Sequence, residues 1–307
     1  MTTALLFPGQ GSQRVGMGRD LALAHEVARR TYEEADQALG FPISKVCFEG
    51  PEDDLTLTRN TQPAILTTSI AVFRSLLERG LTFEYVAGHS LGEWSALVAA
   101  EAIELRDAVR MTHLRGAFMQ DAVPVGQGSM AAIMGLDLAA VRGVCERASQ
   151  PGQPVEPANL NGGGQIVISG HTDAIDRAVV EAKTAGAKLA KKLPVSAPFH
   201  CSLMKPAAEK LAEAMGKLEV RTPRVPVIAN VTAEPITDAG RIKDLLVQQV
   251  TAPVRWEESI QLLAKMGATK AFELGSGAVL KGLVKRIAPT IEVTTIGEPH
   301  EVAGFNA

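Results

Sequence analysis

Residues 85–98 read Tyr-Val-Ala-Gly-His-Ser-Leu-Gly-Glu-Trp-Ser-Ala-Leu-Val and change from strand to helix character within a few positions. Tyr85–Gly88 has the short apolar pattern of a buried strand, whereas the residues from Leu91 to Val98 follow a helical pattern. Strands that alternate with helices along a chain are typical of α/β domains with a mostly parallel sheet. The segment therefore predicts that class of fold.

The turn inside this segment, Gly88-His89-Ser90-Leu91-Gly92, matches the G-x-S-x-G pattern of a nucleophile elbow. A serine on so tight a strand-to-helix turn has a strained backbone and needs small neighbours, and its hydroxyl projects above the sheet. The helix that follows offers free N–H groups and a positive dipole end to a developing oxyanion. The same pattern also fits a glycine-bracketed turn with an incidental serine.

The alternation of strands and helices continues on both sides of the elbow. A strand at 4–7 ends at Pro8-Gly9, a helix is predicted at 20–39, and another begins near Thr61, which can cap it with Pro63 in its first turn. Towards the C-terminus the pattern predicts helices at 203–215, 243–250 and 256–265, and a strand at 270–274 that leads into a last helix.

Between these parts the pattern changes to strand 129–133, helix 138–147, strands 155–159 and 165–169, helix 173–185 and strand 188–193. This β-α-β-β-α-β order is typical of a ferredoxin-like module. The predicted fold is α/β: a large α/β-hydrolase-like domain with a parallel sheet, residues 1–125 and 197–307, plus an inserted ferredoxin-like subdomain, residues 126–196.

The composition excludes several classes of protein. The 307 residues are 46% apolar, and 31 basic residues against 34 acidic ones give a net charge of −3, with aromatic residues at only 4%. These values argue against disorder and against a nucleic-acid partner. Three widely spaced cysteines indicate reduced thiols, as in the cytoplasm, and neither a signal peptide nor a membrane span is expected.

A serine nucleophile needs a general base at neutral pH, and six histidines could supply it. His25 and His113 fall in predicted helices, and His171 caps a turn of the inserted module. His89 adjoins the serine in a turn whose successive side chains point in different directions. His200 follows Pro198-Phe199, where the chain re-enters the large domain, and His300 near the C-terminus is a rival; the pattern alone leaves the choice open.

Three segments carry a joint pattern: Phe-Pro-Gly-Gln-Gly-Ser-Gln at 7–13, Gly-His-Ser-Leu-Gly-Glu at 88–93 and Pro-Phe-His at 198–200. Together they resemble the malonyl-CoA:acyl carrier protein transacylase family, which includes the acyltransferase domains of polyketide and fatty-acid synthases. The resemblance continues at 115–120, 165–170 and 252–256, so it covers nearly the whole chain in order. It points to a stand-alone enzyme of the bacterial type.

The resemblance implies a role for each matching residue. Ser90 would be the nucleophile, and His200 the general base and later the general acid. In this family a backbone carbonyl replaces the third carboxylate of a triad, which points here to Gln249. The backbone N–H groups of Gln10 and Leu91 would form the oxyanion hole, where loss of one donor typically costs about 3–4 kcal/mol.

Arg115 would pair with the free carboxylate of the malonyl group, because its planar fork matches a carboxylate with two hydrogen bonds. A buried guanidinium without a partner costs about 3–5 kcal/mol, which would disfavour uncharged acyl chains. Taken alone, Arg115 is an ordinary surface helix arginine. Phe199 resembles the variant that goes with malonyl preference in synthase domains. Gln62, Asn159 and Asn161 match positions that line the cleft in relatives; a helix start and turns explain these three equally well.

The reaction expected from the resemblance is a ping-pong transfer for fatty acid synthesis, from malonyl-CoA through an ester on Ser90 to the phosphopantetheine thiol of acyl carrier protein. No metal or redox cofactor is required, and the chain is expected to act as a monomer without a nucleic-acid or membrane partner. Candidate contacts to an acidic carrier are Lys188, Lys191, Lys192, Lys281, Lys285 and Arg286.

Other functions remain open at this point. A trans-acting acyltransferase of a polyketide synthase would share every motif. An α/β-hydrolase esterase or thioesterase would share the elbow, and its chain order would recruit His300; no HGGG-type motif supports it. A non-catalytic carrier-binding module is opposed by the joint presence of Ser90, His200 and Arg115.

Overall fold

Two β-sheets organise the described residues, 2–195 and 197–306, of this computed structural model. Met1, Ser196 and Ala307, which bound the predicted domains, lie outside the described residues. The strands are β1 (Thr2–Phe7), β2 (Tyr85–Gly88), β3 (Gly128–Met134), β4 (Val155–Gly162), β5 (Gln165–His171), β6 (Leu189–Lys192), β7 (Val227–Ile228), β8 (Pro235–Ile236), β9 (Ala268–Leu274) and β10 (Glu292–Ile296).

Helices cover both faces of the larger sheet. They are α1 (Arg19–Ala24), α2 (Glu26–Leu39), α3 (Ile43–Glu49), α4 (Glu52–Thr56), α5 (Thr58–Leu77), α6 (Leu91–Ala99), α7 (Leu105–Asp121), α8 (Leu138–Ala148), α9 (Thr172–Thr184), α10 (Lys205–Ala214), α11 (Ile242–Gln249), α12 (Trp256–Lys265), α13 (Val279–Ile287) and α14 (Pro299–Ala303), with short 3₁₀ turns at Ser202–Met204, Met215–Lys217 and Ala239–Arg241. Among the described residues, no helix is both long and apolar enough to cross a membrane.

The larger sheet has the strand order β10-β9-β1-β2-β7-β8, and only the β7–β8 pair is antiparallel. The mostly parallel sheet is therefore confirmed. Leu5 and Phe7 of β1 pack into one apolar core, whereas Ala4 and Leu6 pack into another on the opposite face. Successive side chains of a strand point to opposite faces, so a strand that is buried on both sides is apolar throughout.

The register of β1 and β2 places two loops side by side. Phe7 pairs with Gly88, so both strands end at the same edge of the sheet. A Cβ atom on Gly9 would lie 2.4 Å from the carbonyl oxygen of His89, which shows how closely the two loops approach. The loop after β1 and the elbow after β2 thus form one surface.

The smaller sheet is antiparallel, with the strand order β4-β5-β3-β6. Its elements follow the predicted β-α-β-β-α-β order, and α8 and α9 pack on it through an apolar core of their own. Backbone hydrogen bonds from Leu160 to Val254 and from Val254 to Ala158 join this sheet to the rest of the chain. The smaller sheet therefore borders the segment that follows α11.

The start of α5 corrects one prediction. The helix begins at Thr58, so Thr61 is not its cap, and Pro63 lies inside the helix. Proline lacks the N–H that would bond the carbonyl of Arg59 four residues earlier. His113 of α7 contacts that oxygen instead, with Nδ1 at 2.9 Å, which explains why the proline is tolerated there.

Two predicted helices are each divided in the structure. His25 has extended backbone angles and separates α1 from α2, so the prediction of one helix through His25 is wrong. His25 serves both helices, because its N–H bonds Leu21 and its carbonyl accepts from Arg29. The helix predicted at 203–215 begins as a 3₁₀ turn and becomes α10 at Lys205, where Pro206 favours a helix start.

Candidate active site

Ser90 lies on the sharp turn between β2 and α6, with φ 52° and ψ −106°. Residues other than glycine rarely adopt such angles, and the exceptions concentrate at functional sites. The flanking glycines are sterically required: a Cβ on Gly88 would lie 1.9 Å from the Gly92 carbonyl, and one on Gly92 would lie 2.0 Å from the Phe7 oxygen. This backbone geometry is that of a nucleophile elbow.

His200 meets the serine directly. Its Nε2 lies 2.8 Å from Ser90 Oγ, and its Nδ1 lies 2.8 Å from the backbone carbonyl oxygen of Gln249. A carbonyl only accepts hydrogen bonds, so Nδ1 carries the proton and Nε2 is free to accept from the serine hydroxyl. Burial, followed by the positive charge of Arg115, lowers the pKa of His200 to about 3, so the imidazole is neutral at pH 7.

Arg115 of α7 is 1% exposed, which overturns its interpretation as a surface residue. Nη1 donates to Gln62 Oε1 at 2.7 Å, and Nη2 donates to Gln249 Oε1 at 2.9 Å and to Ser90 Oγ at 3.2 Å. Within the described chain Nε has no acceptor, and the other hydrogen bonds of the guanidinium go to neutral oxygens. Burial lowers the pKa of Arg115 to about 10, so it remains charged and can take a carboxylate.

Two further polar residues lie behind these groups. Asn230, just after β7, accepts from the Ser90 N–H at 2.7 Å and donates to the Gly88 carbonyl at 2.7 Å. Glu93 of α6 is 1% exposed, and its Oε2 accepts from the Asn230 N–H at 3.0 Å and from Gln249 Nε2 at 2.7 Å. Burial raises the pKa of Glu93 to about 7.

Sequence reasoning missed both of these residues, for different reasons. Glu93 carried a usable signal, since it is the only charged residue of the apolar helix α6. A charged residue is costly to bury without partners, so its position in this helix predicts a hydrogen-bonding role. Asn230 carried no signal, because an asparagine after a short strand is an ordinary turn residue.

A cavity of about 330 Å³ opens above the serine. Every site residue proposed from the sequence except Gln249 lines it: Ser90, His200, Gln10, Leu91, Arg115, Gln62, Asn159, Asn161 and Phe199. Apolar side chains complete the wall, among them Met119 and Met130, together with Val279, Leu280 and Leu283 from α13. Gln249 stands behind the histidine and contributes its backbone carbonyl, as the resemblance implies.

Gln10 and Leu91 both line the cavity, from the two adjacent loops. Leu91 is the first residue of α6, so its N–H has no acceptor within the helix. The Gln10 N–H bonds no atom of the described chain, and the Ser12 hydroxyl holds the loop by donating to the Gly9 carbonyl at 2.9 Å. Two free donors beside the nucleophile can stabilise an oxyanion.

His89 also lines the cavity, where it contacts Asn161 and not the serine. Its Nε2 lies 2.8 Å from Asn161 Oδ1, its ring packs against Trp256, and burial lowers its pKa. Asn159 also faces the cavity, and its buried Oδ1 has no partner within the described chain. This part of the cavity therefore offers amide groups to a polar ligand.

The remaining histidines lie outside the cavity. His171 caps α9 by accepting from the Asp173 N–H at 3.3 Å, as predicted. His300 is exposed on α14 and does not line the cavity. Cys201, next to His200, is buried, and burial raises the pKa of its thiol to about 11, as expected of a packed and unreactive cysteine.

Known proteins of one family are similar to this chain along nearly its whole length. A model of the acyl transferase domain matches residues 4–292. The malonyl CoA-acyl carrier protein transacylase of Escherichia coli strain K12 is 47% identical over 301 residues, which cover 98% of this chain and 97% of that protein.

Solved structures of malonyl-transferring enzymes are also similar to this chain. An acyl-carrier-protein-S-malonyltransferase from Bartonella henselae has a TM-score of 0.96 at 48% identity, and the match covers 99% of this chain and 98% of that one. A chain from the complex of a type II polyketide synthase acyl carrier protein with its malonyl-transacylase has a TM-score of 0.96 at 43% identity, with 99% and 98% covered.

Proposed function

The chain belongs to the acyl transferase domain family, and from this we propose that it transfers a malonyl group from CoA to the phosphopantetheine thiol of an acyl carrier protein. One observation carries the proposal: the buried guanidinium of Arg115 lies 3.2 Å from a serine hydroxyl that also meets a neutral histidine. A nucleophile beside a carboxylate-binding cation suits an acyl donor with a free carboxylate at its far end.

In the first half-reaction, Ser90 Oγ attacks the thioester carbon of malonyl-CoA while His200 Nε2 takes the hydroxyl proton. The N–H groups of Gln10 and Leu91 stabilise the negative oxygen of the tetrahedral intermediate. The C–S bond then breaks, His200 returns the proton to the CoA sulfur, and the malonyl group remains as an ester on Ser90. The Gln249 carbonyl accepts the Nδ1–H and stabilises the transient imidazolium.

The second half-reaction uses the same groups in reverse. The phosphopantetheine thiol gives its proton to His200 as its sulfur attacks the ester carbon. The C–O bond to Ser90 breaks, and His200 protonates the leaving serine oxygen. No step needs a metal or redox cofactor. The guanidinium of Arg115 holds the malonyl carboxylate through both halves and disfavours uncharged acyl chains, which would leave it buried without an anion.

The architecture behind this site has two parts in our proposal. The large domain, residues 1–125 and 197–307, is α/β-hydrolase-like, which the elbow at the end of a parallel strand supports. The insertion, residues 126–196, is ferredoxin-like, which its strand order and element order support. Both parts line the cavity, with Ser90 on one and Met130 on the other.

The transfer serves fatty acid synthesis. A polyketide carrier is the second candidate acceptor, because one structural relative was solved with a type II polyketide synthase carrier. We place the enzyme in the cytoplasm, where its three buried, unpaired cysteines would stay reduced. It would act there as a monomer, without nucleic-acid or membrane partners.

Intact-protein mass after brief mixing with malonyl-CoA, and separately with acetyl-CoA, tests the proposed function. We expect a malonyl adduct that maps to Ser90, little acetyl adduct, and discharge of the malonyl group by a phosphopantetheinylated carrier. Free malonate without transfer to the carrier would indicate a hydrolase. Absence of both adduct and turnover would indicate a binding module.

A further inference from the structure

Glu93 stands one step behind the reacting groups. It is buried in α6 and does not line the cavity, so it is not placed to touch a substrate. One of its oxygens, Oε2, accepts both the Asn230 N–H and the Gln249 Nε2. The other, Oε1, has no hydrogen-bond partner in the described chain. The hydrogen bonds of this carboxyl group to the site therefore pass through a single oxygen and two residues, and its charge also acts on Arg115 through space.

Those two residues hold the nucleophile, the base and the cation of the site. Asn230 fixes the elbow by accepting from the Ser90 N–H and donating to the Gly88 carbonyl. Gln249 orients His200 through its backbone carbonyl, holds Arg115 through its side-chain Oε1, and donates to the Ser90 carbonyl at 3.1 Å. The nucleophile, the base and the cation are thus all connected to Glu93 through these two residues.

The chemistry of a carboxylate also determines which way the Gln249 amide faces. Oε2 already accepts the Asn230 N–H, so it is an acceptor whether or not Oε1 carries a proton, and it takes the NH₂ end of the amide. The carbonyl end of the amide must then face Arg115, where an acceptor is needed for a guanidinium N–H. Reversing the amide would set two donors against each other beside Arg115 and leave Glu93 facing an oxygen.

We infer that Glu93 is a positioning residue of the transfer reaction: through the Asn230 N–H and the Gln249 amide, its Oε2 keeps Ser90, His200 and Arg115 in their relative positions. This inference rests on the proposed function. Displacing a reacting group by about 1 Å can cost about a hundredfold in rate. Loss of the Gln249 contact would free Arg115, so selectivity for malonyl over acetyl should fall along with the rate.

The test compares three variants. In Glu93→Gln, the amide oxygen can take the place of Oε2 and keep both hydrogen bonds, while the NH₂ group falls where Oε1 has no partner. Glu93→Met has a side chain of similar length and no comparable acceptor. Glu93→Asp keeps the carboxyl group but is one methylene shorter, so it cannot maintain both contacts; it serves if the methionine variant does not fold. Rapid-quench mass spectrometry would follow loading of Ser90 from malonyl-CoA and from acetyl-CoA, with thermal melting to report the folded fraction.

We expect Glu93→Gln to stay within about tenfold of the wild-type malonyl rate and to retain the malonyl-to-acetyl ratio. Glu93→Met and Glu93→Asp should lose about a hundredfold in malonyl rate, and their malonyl-to-acetyl ratio should fall by about tenfold or more. An unchanged ratio, with rates lowered only in proportion to the folded fraction, would show a structural role alone and overturn the inference. Equal losses in Glu93→Gln and Glu93→Met would overturn it too, because the charge and not the accepting oxygen would then matter. Failure of the wild-type enzyme to load malonyl on Ser90 would instead overturn the proposed function.

Discussion

Nη2 of Arg115 lies 3.2 Å from Oγ of Ser90 and donates a hydrogen bond to it, so the cation that would bind the substrate carboxylate touches the nucleophile itself. In a malonyl thioester, a single CH₂ separates the carboxylate from the reacting carbonyl. A carboxylate on Arg115 would therefore bring that carbonyl close to Ser90. The same positive charge also contributes to the low pKa of His200, so a bound carboxylate would favour the imidazolium that forms during transfer.

Replacement of Arg115 by alanine should lower malonyl loading by about a hundredfold or more, because a buried charge pair with the substrate is lost. Acetyl loading should fall much less or rise, since an uncharged acyl chain no longer leaves a guanidinium unpaired. Arg115→Lys should recover only part of the malonyl rate, because lysine lacks the planar fork. Loading rates with the two CoA esters provide the measurement.

Arg106→Ala is the matched control, because Arg106 is an exposed arginine of the same helix and does not line the cavity. It should leave both loading rates unchanged. Equal losses of malonyl and acetyl loading in Arg115→Ala would contradict a role in selectivity.

Replacement of His200 by alanine should lower both half-reactions by about 10²–10⁴-fold, the usual contribution of a general base. His300→Ala should have no effect, because that side chain is exposed on α14 and does not line the cavity. Malonyl loading from CoA and discharge to the carrier would be measured separately for each variant. The opposite pattern, with activity lost only in His300→Ala, would identify a hydrolase with the triad order of that fold.

The local part of this site could be predicted from the sequence. The elbow depends on Gly88, Ser90 and Gly92, whose steric demands follow from a few adjacent residues. The β-α-β-β-α-β order could likewise be found from patterns within about 70 residues, because each element has its own periodicity. The predicted start of α5 was wrong because Pro63 is tolerated inside this helix. His113 of another helix contacts the Arg59 carbonyl that the proline leaves without a donor.

The long-range part could not be predicted from patterns. The sequence offered six histidines, and only the family resemblance singled out His200, which meets Ser90 across 110 positions. Asn230 reaches Glu93 across 137 positions because β7 lies next to β2 in the sheet. Residue types and spacing do not specify such a contact. The strand order that produces it appears only in the structure.

The buried His200 should make the stability of the enzyme depend on pH. Its pKa falls from 6.5 to about 3 on folding, so between these values the unfolded chain binds a proton that the folded protein does not. The free energy of unfolding therefore loses this contribution as the pH falls below 6.5. Melting temperatures of the wild-type enzyme and His200→Gln, recorded from pH 8 to pH 5, would show it: the wild-type advantage should shrink as the pH falls. A difference that stays constant across this range would contradict the lowered pKa.

Exposed lysines of α13 should take part in carrier docking, because this helix also supplies Val279, Leu280 and Leu283 to the cavity wall. The phosphopantetheine arm that reaches Ser90 would enter the cavity that this helix lines, and an acidic carrier would be attracted by Lys281 and Lys285. Charges at the rim of an interface act mainly on the association rate, which depends on salt. The double variant Lys281→Glu/Lys285→Glu should therefore lower kcat/KM for the carrier by about tenfold at low salt, with a smaller effect at high salt, and should spare loading from malonyl-CoA.

Lys45→Glu is the matched control, since Lys45 is exposed on α3, which contributes nothing to the cavity wall. If both half-reactions fell equally in the double variant, the effect would lie in the cavity itself and the docking role would be wrong.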